Sequence, residues 1–171
     1  MELDVTRALL SPGTEFPFEA SEAVPPQNVN GETVTFDAAA LRGRYSALEG
    51  DVRLSGELET MAHAACALCM QPAHVPLTIP FDEMFRKGVN ELEDEAFAYE
   101  DGKVPLARMT LTLVMLNLPM RFVCREGCEG SEAYRAFRKQ HPEGSDREET
   151  PVRHPFEALQ GLLDDEVGKA D

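Results

Sequence analysis

The run 51-DVRLSGELETMAHAACALC-69 decides how this chain folds. Val52, Leu54, Gly56 and Leu58 fall on one side of a two-residue period, with Asp51, Arg53, Ser55, Glu57 and Glu59 on the other. That is the pattern of a strand with one buried and one wet face. It continues through His63-Ala64-Ala65 into Cys66-Ala67-Leu68-Cys69. A second alternation, Val75, Leu77, Ile79, Phe81 and then Phe85, leads away again. The C-x-x-C is therefore placed where one strand hands over to the next.

Working upstream, Val34 with Phe36 and Tyr45 with Ala47 alternate in the same way, and Glu49-Gly50-Asp51 marks a turn. Residues 33–61 read as an antiparallel strand pair. Leu3, Val5, Leu9 and Leu10 predict an opening strand that stops at Ser11-Pro12-Gly13. Phe16-Pro17-Phe18 predicts an edge strand, because proline cannot donate to a central ladder. Residues 20–31, punctuated by Pro25-Pro26 and Asn30-Gly31, read as a loop.

Downstream, residues 91–101 carry Glu91, Glu93, Asp94, Glu95, Glu100 and Asp101 with no base, which predicts a solvated loop. The D-x-D-x-D-G spacing of a calcium loop is absent. Val104–Leu118 predicts a buried helix with Pro105 in its first turn and Leu106, Met109, Leu113 and Leu116 three or four apart. Leu111, Val114 and Met115 widen that stripe. The β-branched Thr110, Thr112 and Val114 leave a strand as the alternative. Pro119 ends the element, and Met120–Val123 brings the chain to Cys124 in extended form. Ser131 reads as the N-cap of a short polar helix reaching Gln140. Residues 141–151 are linker-like, and Pro155 opens a short amphipathic helix bearing Phe156, Leu159, Leu162, Leu163 and Val167.

The expected class is α+β: an antiparallel β-sheet in a strand-rich N-terminal half, a buried helix, and a short C-terminal helix. Residues 1–130 are expected to form the main domain. Residues 131–171 are expected to be a helical, acidic extension packing on it. A chain of 171 residues can bury a core without cross-links.

Charge narrows the function. The net charge is −15, and acids outnumber bases in each of residues 1–65, 66–130 and 131–171. A broad phosphate-binding surface would work against that field, so basic proteins are the favoured partners. The start, MELDVTRALL, lacks a basic region ahead of an apolar run, and no stretch approaches the roughly 18 apolar residues of a membrane span. The expected compartment is the cytoplasm, with no membrane contact.

Four cysteines fall in two close pairs, Cys66/Cys69 and Cys124/Cys128. In a reducing compartment such pairs are metal ligands or redox thiols more often than disulfides. Under the metal reading the four thiolates form one structural Zn2+ site that leaves no position open for water or substrate. Under the redox reading Cys66 and Cys69 exchange a disulfide. Such sites place the first cysteine at a helix N-terminus, whereas these flanks are strands. Four unliganded thiols are the third possibility. His63 and His74 flank the C-x-x-C and stand as substitute ligands, while His141 and His154 lie beside prolines and are expected to be exposed.

No catalytic triad order, P-loop, G-x-G-x-x-G or H-E-x-x-H is present, so no nucleophile or base is assigned and no small-molecule substrate is expected. Two small basic spots remain as RNA contacts: Arg121-Phe122 with Arg125, and Arg135, Arg138 and Lys139 interleaved with Tyr134 and Phe137.

The order of these features, Cys66-Ala67-Leu68-Cys69, an IPFDEMF strand, an acidic loop, the segment 105–118, then LPMRFVCREGCEG and a closing HPFEALQGLL, resembles the bacterial YceD family. Its members are also described as large ribosomal RNA subunit accumulation proteins. The resemblance covers nearly the whole chain and is densest over residues 58–130. It implies a non-enzymatic cytoplasmic protein that supports accumulation of 23S ribosomal RNA and large-subunit assembly by binding. Together with the acidic charge, this leads to ribosomal or ribosome-assembly proteins as the expected partners, with ribosomal RNA contacted indirectly rather than directly. A thiol or zinc protein with a redox or metal-buffering role, or a direct RNA-binding module, is the alternative. Family members commonly continue CEG with L-C-x-x-C-G, where this chain has Glu132 and Arg135 at the cysteine positions. The tetrad is complete here only if the family site uses the first pair together with the C-x3-C.

Overall fold

The alternation of residues 51–59 is realised as one arm of a long hairpin. The structure is a computed structural model and describes residues 1–89 and 96–141. The chain divides into two units, residues 1–131 and 132–171. In chain order the first unit runs β1 (Glu2–Asp4), α1 (Thr6–Leu10), β2 (Phe16–Glu22), β3 (Gln27–Val29), β4 (Glu32–Phe36), β5 (Ala39–Leu48), β6 (Asp51–Ala65), β7 (Pro72–Arg86), β8 (Phe97–Ala98), β9 (Lys103–Pro105) and α2 (Leu106–Leu116). The described part of the second unit holds α3 (Glu132–Gln140). The α+β expectation holds.

Strand β6 is the axis of the sheet. Along one edge it pairs with β7 from Val52↔Phe85 to Ala65↔Pro72. Along the other it pairs with β5 and, further on, with β4 through Phe36↔Ala62 and Thr35↔His63. Strand β2 flanks β5, and β3 flanks β4. The stretch 33–61 is thus three strands rather than two, because Asp37-Ala38 breaks one long run into β4 and β5 on the same edge of β6.

Turn chemistry sets the registers. Glu49 and Gly50 both have left-handed backbone, as a two-residue hairpin between right-twisted strands requires. Asn30 and Gly31 do the same between β3 and β4. Residues 20–31 are accordingly not all loop: they hold the end of β2 and all of β3. Pro17 lies on edge strand β2, as the sequence predicts. Pro76 and Pro80 lie on β7, whose second edge pairs only with β8 among the described residues. Residues that lack an N–H blunt an edge of that kind.

One face of the sheet is dry. Leu41, Tyr45 and Ala47 of β5, Val52, Leu54, Leu58 and Ala62 of β6, and Leu77, Ile79, Phe81 and Phe85 of β7 are buried there. Helices α1 and α2 add Ala8, Leu106, Met109 and Val114 to the same core. The opposite face is wet and carries the ion pairs Arg53–Asp82, Arg42–Glu59 and Arg44–Glu15.

Several expectations need correction. The opening strand stops at Asp4, because the Thr6 N–H donates to Asp4 Oδ1 at 2.9 Å and starts α1, which takes Leu9 and Leu10 into a helix. Of the acidic stretch, Glu91, Glu93, Asp94 and Glu95 lie outside the described residues. Phe97–Ala98 is a strand parallel to the end of β7, with Ala96 and Tyr99 buried beside it. Helix α2 settles the helix-or-strand alternative, but it begins at Leu106, after Pro105 has paired in β9 with Glu2 of β1. Leu116 is 78 % exposed, and Thr110 takes a buried place in its stead. Helix α3 follows Ser131 as expected. The linker and the amphipathic segment opened by Pro155 lie outside the described residues, and so does His154. Among the described residues no helix is long and apolar enough to cross a membrane.

Candidate metal centre

The C-x-x-C closes the β6–β7 hairpin. The Cys66 N–H donates to the Gln71 carbonyl at 2.8 Å and the Met70 N–H to the Cys66 carbonyl at 2.9 Å. Met70 takes the left-handed conformation that such a reversal needs, at φ 63°. The second pair arrives from α2: Pro119 prevents the helix from continuing, Phe122 is buried, and Gly127 at φ 69° turns the chain between Cys124 and Cys128. Backbone bonds stitch the two loops together on either side of the thiols, Ala67 N–H to the Phe122 carbonyl at 2.9 Å and Ser131 N–H to the Leu68 carbonyl at 2.8 Å.

All four Sγ atoms lie within 4.8 Å of one another. Cys69 and Cys124 are 3.6 Å apart, and Cys66 and Cys128 are 4.0 Å apart. The thiols are free. Tetrahedral zinc with Zn–S bonds of about 2.3 Å requires S···S edges of about 3.8 Å. The donor set and the spacing therefore fit a closed four-thiolate site. They do not leave a vacancy for substrate.

Electrostatics supports the same reading of the sulfurs. Burial acts against ionising Cys66, but the backbone N–H groups of Leu68, Cys124 and Cys69 that face its sulfur win, and its pKa falls to about 6. For Cys124, the hydrogen bond with Cys69 and then burial push the thiol up to about 12. The Gln71 N–H favours ionising Cys69, yet burial and the Cys66 and Cys128 sulfurs leave its pKa raised. Without a cation the Cys66 thiolate is favoured, while ionising Cys69 or Cys124 beside it is opposed. A divalent ion removes that conflict.

The histidines do not join this cluster: among the described residues the converging set consists of the four cysteines. His63 and His74 instead meet each other on the wet face of the sheet. His141 is exposed and stacks on Phe137 with ring centroids 4.6 Å apart. Of the two basic spots, the first loses its stacking partner, because Phe122 is buried and holds the loop. Arg135, Arg138 and Lys139 all lie on α3 and are exposed, at the three- and four-residue spacing that shares one helix face. A hollow of about 180 Å3 beside the hairpin turn, lined by Val34, Met70, Met120 and Phe122 among others, is smaller than the roughly 300 Å3 at which small-molecule pockets begin.

An antiparallel sheet whose central hairpin ends in a four-thiol cluster describes a class of small domain with the ligand set of a structural metal site. Residues 54–163 match the family described as "Large ribosomal RNA subunit accumulation protein YceD", and the chain belongs to that family. The matched span begins within β6 and contains all four cysteines. The chain is also similar to uncharacterized proteins of Mycobacterium bovis and Mycobacterium tuberculosis, 27 % identical over 139 residues that cover 76 % of this chain. It spans 66 % of the length of those relatives. No solved structure matches it.

Proposed function

We propose that the protein is a non-enzymatic accessory of ribosome biogenesis, which supports accumulation of 23S ribosomal RNA and assembly of the large subunit by binding. The family membership supports the pathway. The single structural observation that carries the mode of action is the convergence of Cys66, Cys69, Cys124 and Cys128 within 4.8 Å. Held by these four thiolates, Zn2+ would lock the β6–β7 turn to the loop after α2 and supply rigidity, with no chemistry of its own. The net charge of −15 favours a basic ribosomal or assembly protein as the direct contact, with RNA reached through it. The proposal keeps the protein in the cytoplasm, where thiols stay reduced.

Depletion tests the pathway. Cells lacking the protein should lose 23S RNA and large subunits relative to small ones, and normal levels of both would end the proposal. Native mass spectrometry of untagged protein tests the clamp by the mass of one zinc ion. A redox role is the weaker reading: Cys66 has the lowered pKa of a reactive thiol, but it is 0 % exposed, which bars a protein disulfide from reaching it.

A further inference from the structure

On the wet face of the sheet, away from the burial that organises the cysteines, two imidazoles are aimed at each other. His63 of β6 and His74 of β7 are direct cross-strand partners. Their Nδ1 atoms are 2.6 Å apart, with the ring planes at 74° and the centroids 4.9 Å apart. Two ring nitrogens at that distance cannot both present bare lone pairs to each other: either one ring donates its N–H to the other, or a metal ion lies between them.

Asp37 decides which nitrogen of His63 is the ligand. Its Oδ1 lies 3.0 Å from His63 Nε2, so in the neutral ring Nε2 carries the hydrogen and Nδ1 carries the lone pair that faces His74. A carboxylate on the far nitrogen is the usual support of a metal-bound histidine, since it fixes the tautomer and raises the basicity of the ligating atom. The backbone of Asp37 is held at this point, while its carboxylate is exposed apart from the His63 contact. Its N–H donates to the Met61 carbonyl at 3.0 Å, and its own carbonyl accepts from the buried Thr60 hydroxyl at 2.9 Å. Strands β6 and β7 and the break that follows β4 thus each contribute one member of the group.

We propose that His63 and His74 form a second metal site, separate from the four cysteines, which takes a late first-row divalent ion through the two Nδ1 atoms with Asp37 as the orienting partner. Metal–nitrogen bonds of about 2.0–2.1 Å need the nitrogens about 2.9–3.4 Å apart. A small rotation of His74, which is exposed, provides the difference. Imidazole is a preferred donor for nickel, copper and zinc, and the exposed surroundings leave the remaining coordination positions to water. The site is therefore an open one, able to bridge to a donor on another molecule.

Nickel tests this without oxidising the thiols. Isothermal titration of untagged wild type and of His74→Ala with Ni2+ compares proteins that have the same four cysteines, so their difference isolates the histidine pair. Wild type should bind one equivalent more than His74→Ala and than His74→Gln, both of which should keep the wild-type circular dichroism because position 74 is exposed. Asp37→Asn should keep that equivalent but bind it roughly 10-fold more weakly. Equal stoichiometry in wild type and both His74 variants would mean that the pair merely shares a proton, and would overturn the site. An Asp37→Asn affinity equal to wild type would overturn the orienting role.

Discussion

Cys69 Sγ lies 3.6 Å from Cys124 Sγ across 55 residues of sequence, and that contact closes the domain around its central hairpin. If the four sulfurs act as one ligand set, losing any one of them loses the set. Cys69→Ser and Cys124→Ser should each lower the melting temperature substantially, and the double variant should lower it no further, since coupled partners are not additive. A strong chelator should reproduce the loss in wild type and do nothing to the variants. Thermal melts with and without chelator, together with zinc content, check this. A wild-type melt indifferent to chelator, with four thiols reactive in the native state, would remove the clamp.

Gly43 and Gly56 face each other across β5 and β6. A Cβ on Gly43 would sit 2.1 Å from the Ser55 carbonyl oxygen and 2.9 Å from the Gly56 Cα, and one on Gly56 would sit 2.1 Å from the Arg42 carbonyl oxygen. Those obstacles are backbone and cannot swing aside. Gly43→Ala or Gly56→Ala should therefore cost more than about 4 kcal/mol or prevent folding. At Gly13, where nothing lies within 4 Å and only the left-handed φ of 79° opposes a side chain, alanine should cost about 1 kcal/mol. Denaturant unfolding of the soluble variants ranks them.

The parts of the fold that follow from a period of two were legible. Buried Val52, Leu54 and Leu58 and wet Arg53, Glu57 and Glu59 stand as the alternation requires, and the C-x-x-C sits between strands. What failed was set by one local side-chain bond and by tertiary contact. Leu9 and Leu10 look like strand until the Asp4 carboxylate captures the Thr6 N–H, and Phe97 reads as part of an acidic loop until it packs on Phe85 with ring centroids 5.3 Å apart. The histidine pair was hidden by a register problem. His63 faces His74 only because the turn leaves Ala65 opposite Pro72, and a turn one residue longer would send the two to different partners. The joining of the two cysteine pairs was legible as chemistry, from the preference of zinc for four thiolates. The backbone bonds that deliver it, Ala67 to Phe122 and Ser131 to Leu68, leave no mark on the sequence.

Asp82 and Glu83 are neighbours whose ionisation acts in opposite directions. Asp82, on the wet face, is lowered by its hydrogen bonds with Arg53, including Arg53 Nε to Oδ1 at 2.6 Å. Glu83 points to the core side opposite Leu54, and burial, helped by the charge of Asp82, raises its pKa. The Asp82 contribution is present above the ordinary aspartate range and is lost as the pH falls through its lowered value. The Glu83 contribution is complete below the ordinary glutamate range and is lost as the pH rises through its raised value. Glu83→Gln should therefore stabilise the protein at neutral pH, and the gain should shrink to nothing in acid. Asp82→Asn should do the reverse, destabilising at neutral pH and converging on wild type in acid. Unfolding free energies measured between about pH 3 and 7 separate the two, and a Glu83→Gln gain independent of pH would refute the assignment.

Tyr99 is almost wholly buried, and its hydroxyl donates to the Gly50 carbonyl at the tip of the β5–β6 turn. Through this bond the segment leading to β9 holds the turn that sets the register of the central strands. Burial, and then the Asp51 carboxylate, raise the phenol's pKa, since both oppose a negative charge there. The folded state binds the phenolic proton more tightly than the unfolded chain does. Its stabilising effect is complete below the ordinary tyrosine pKa near 10 and is lost as the pH climbs through the raised value. Tyr99→Phe keeps the ring and removes the bond. It should cost about 1 kcal/mol at neutral pH, because Gly50 is exposed and water can take its carbonyl. The same substitution should flatten the alkaline loss of stability. If wild type and Tyr99→Phe decline in parallel between about pH 9 and 11, another group carries the alkaline transition and the Tyr99–Gly50 bond does not govern it.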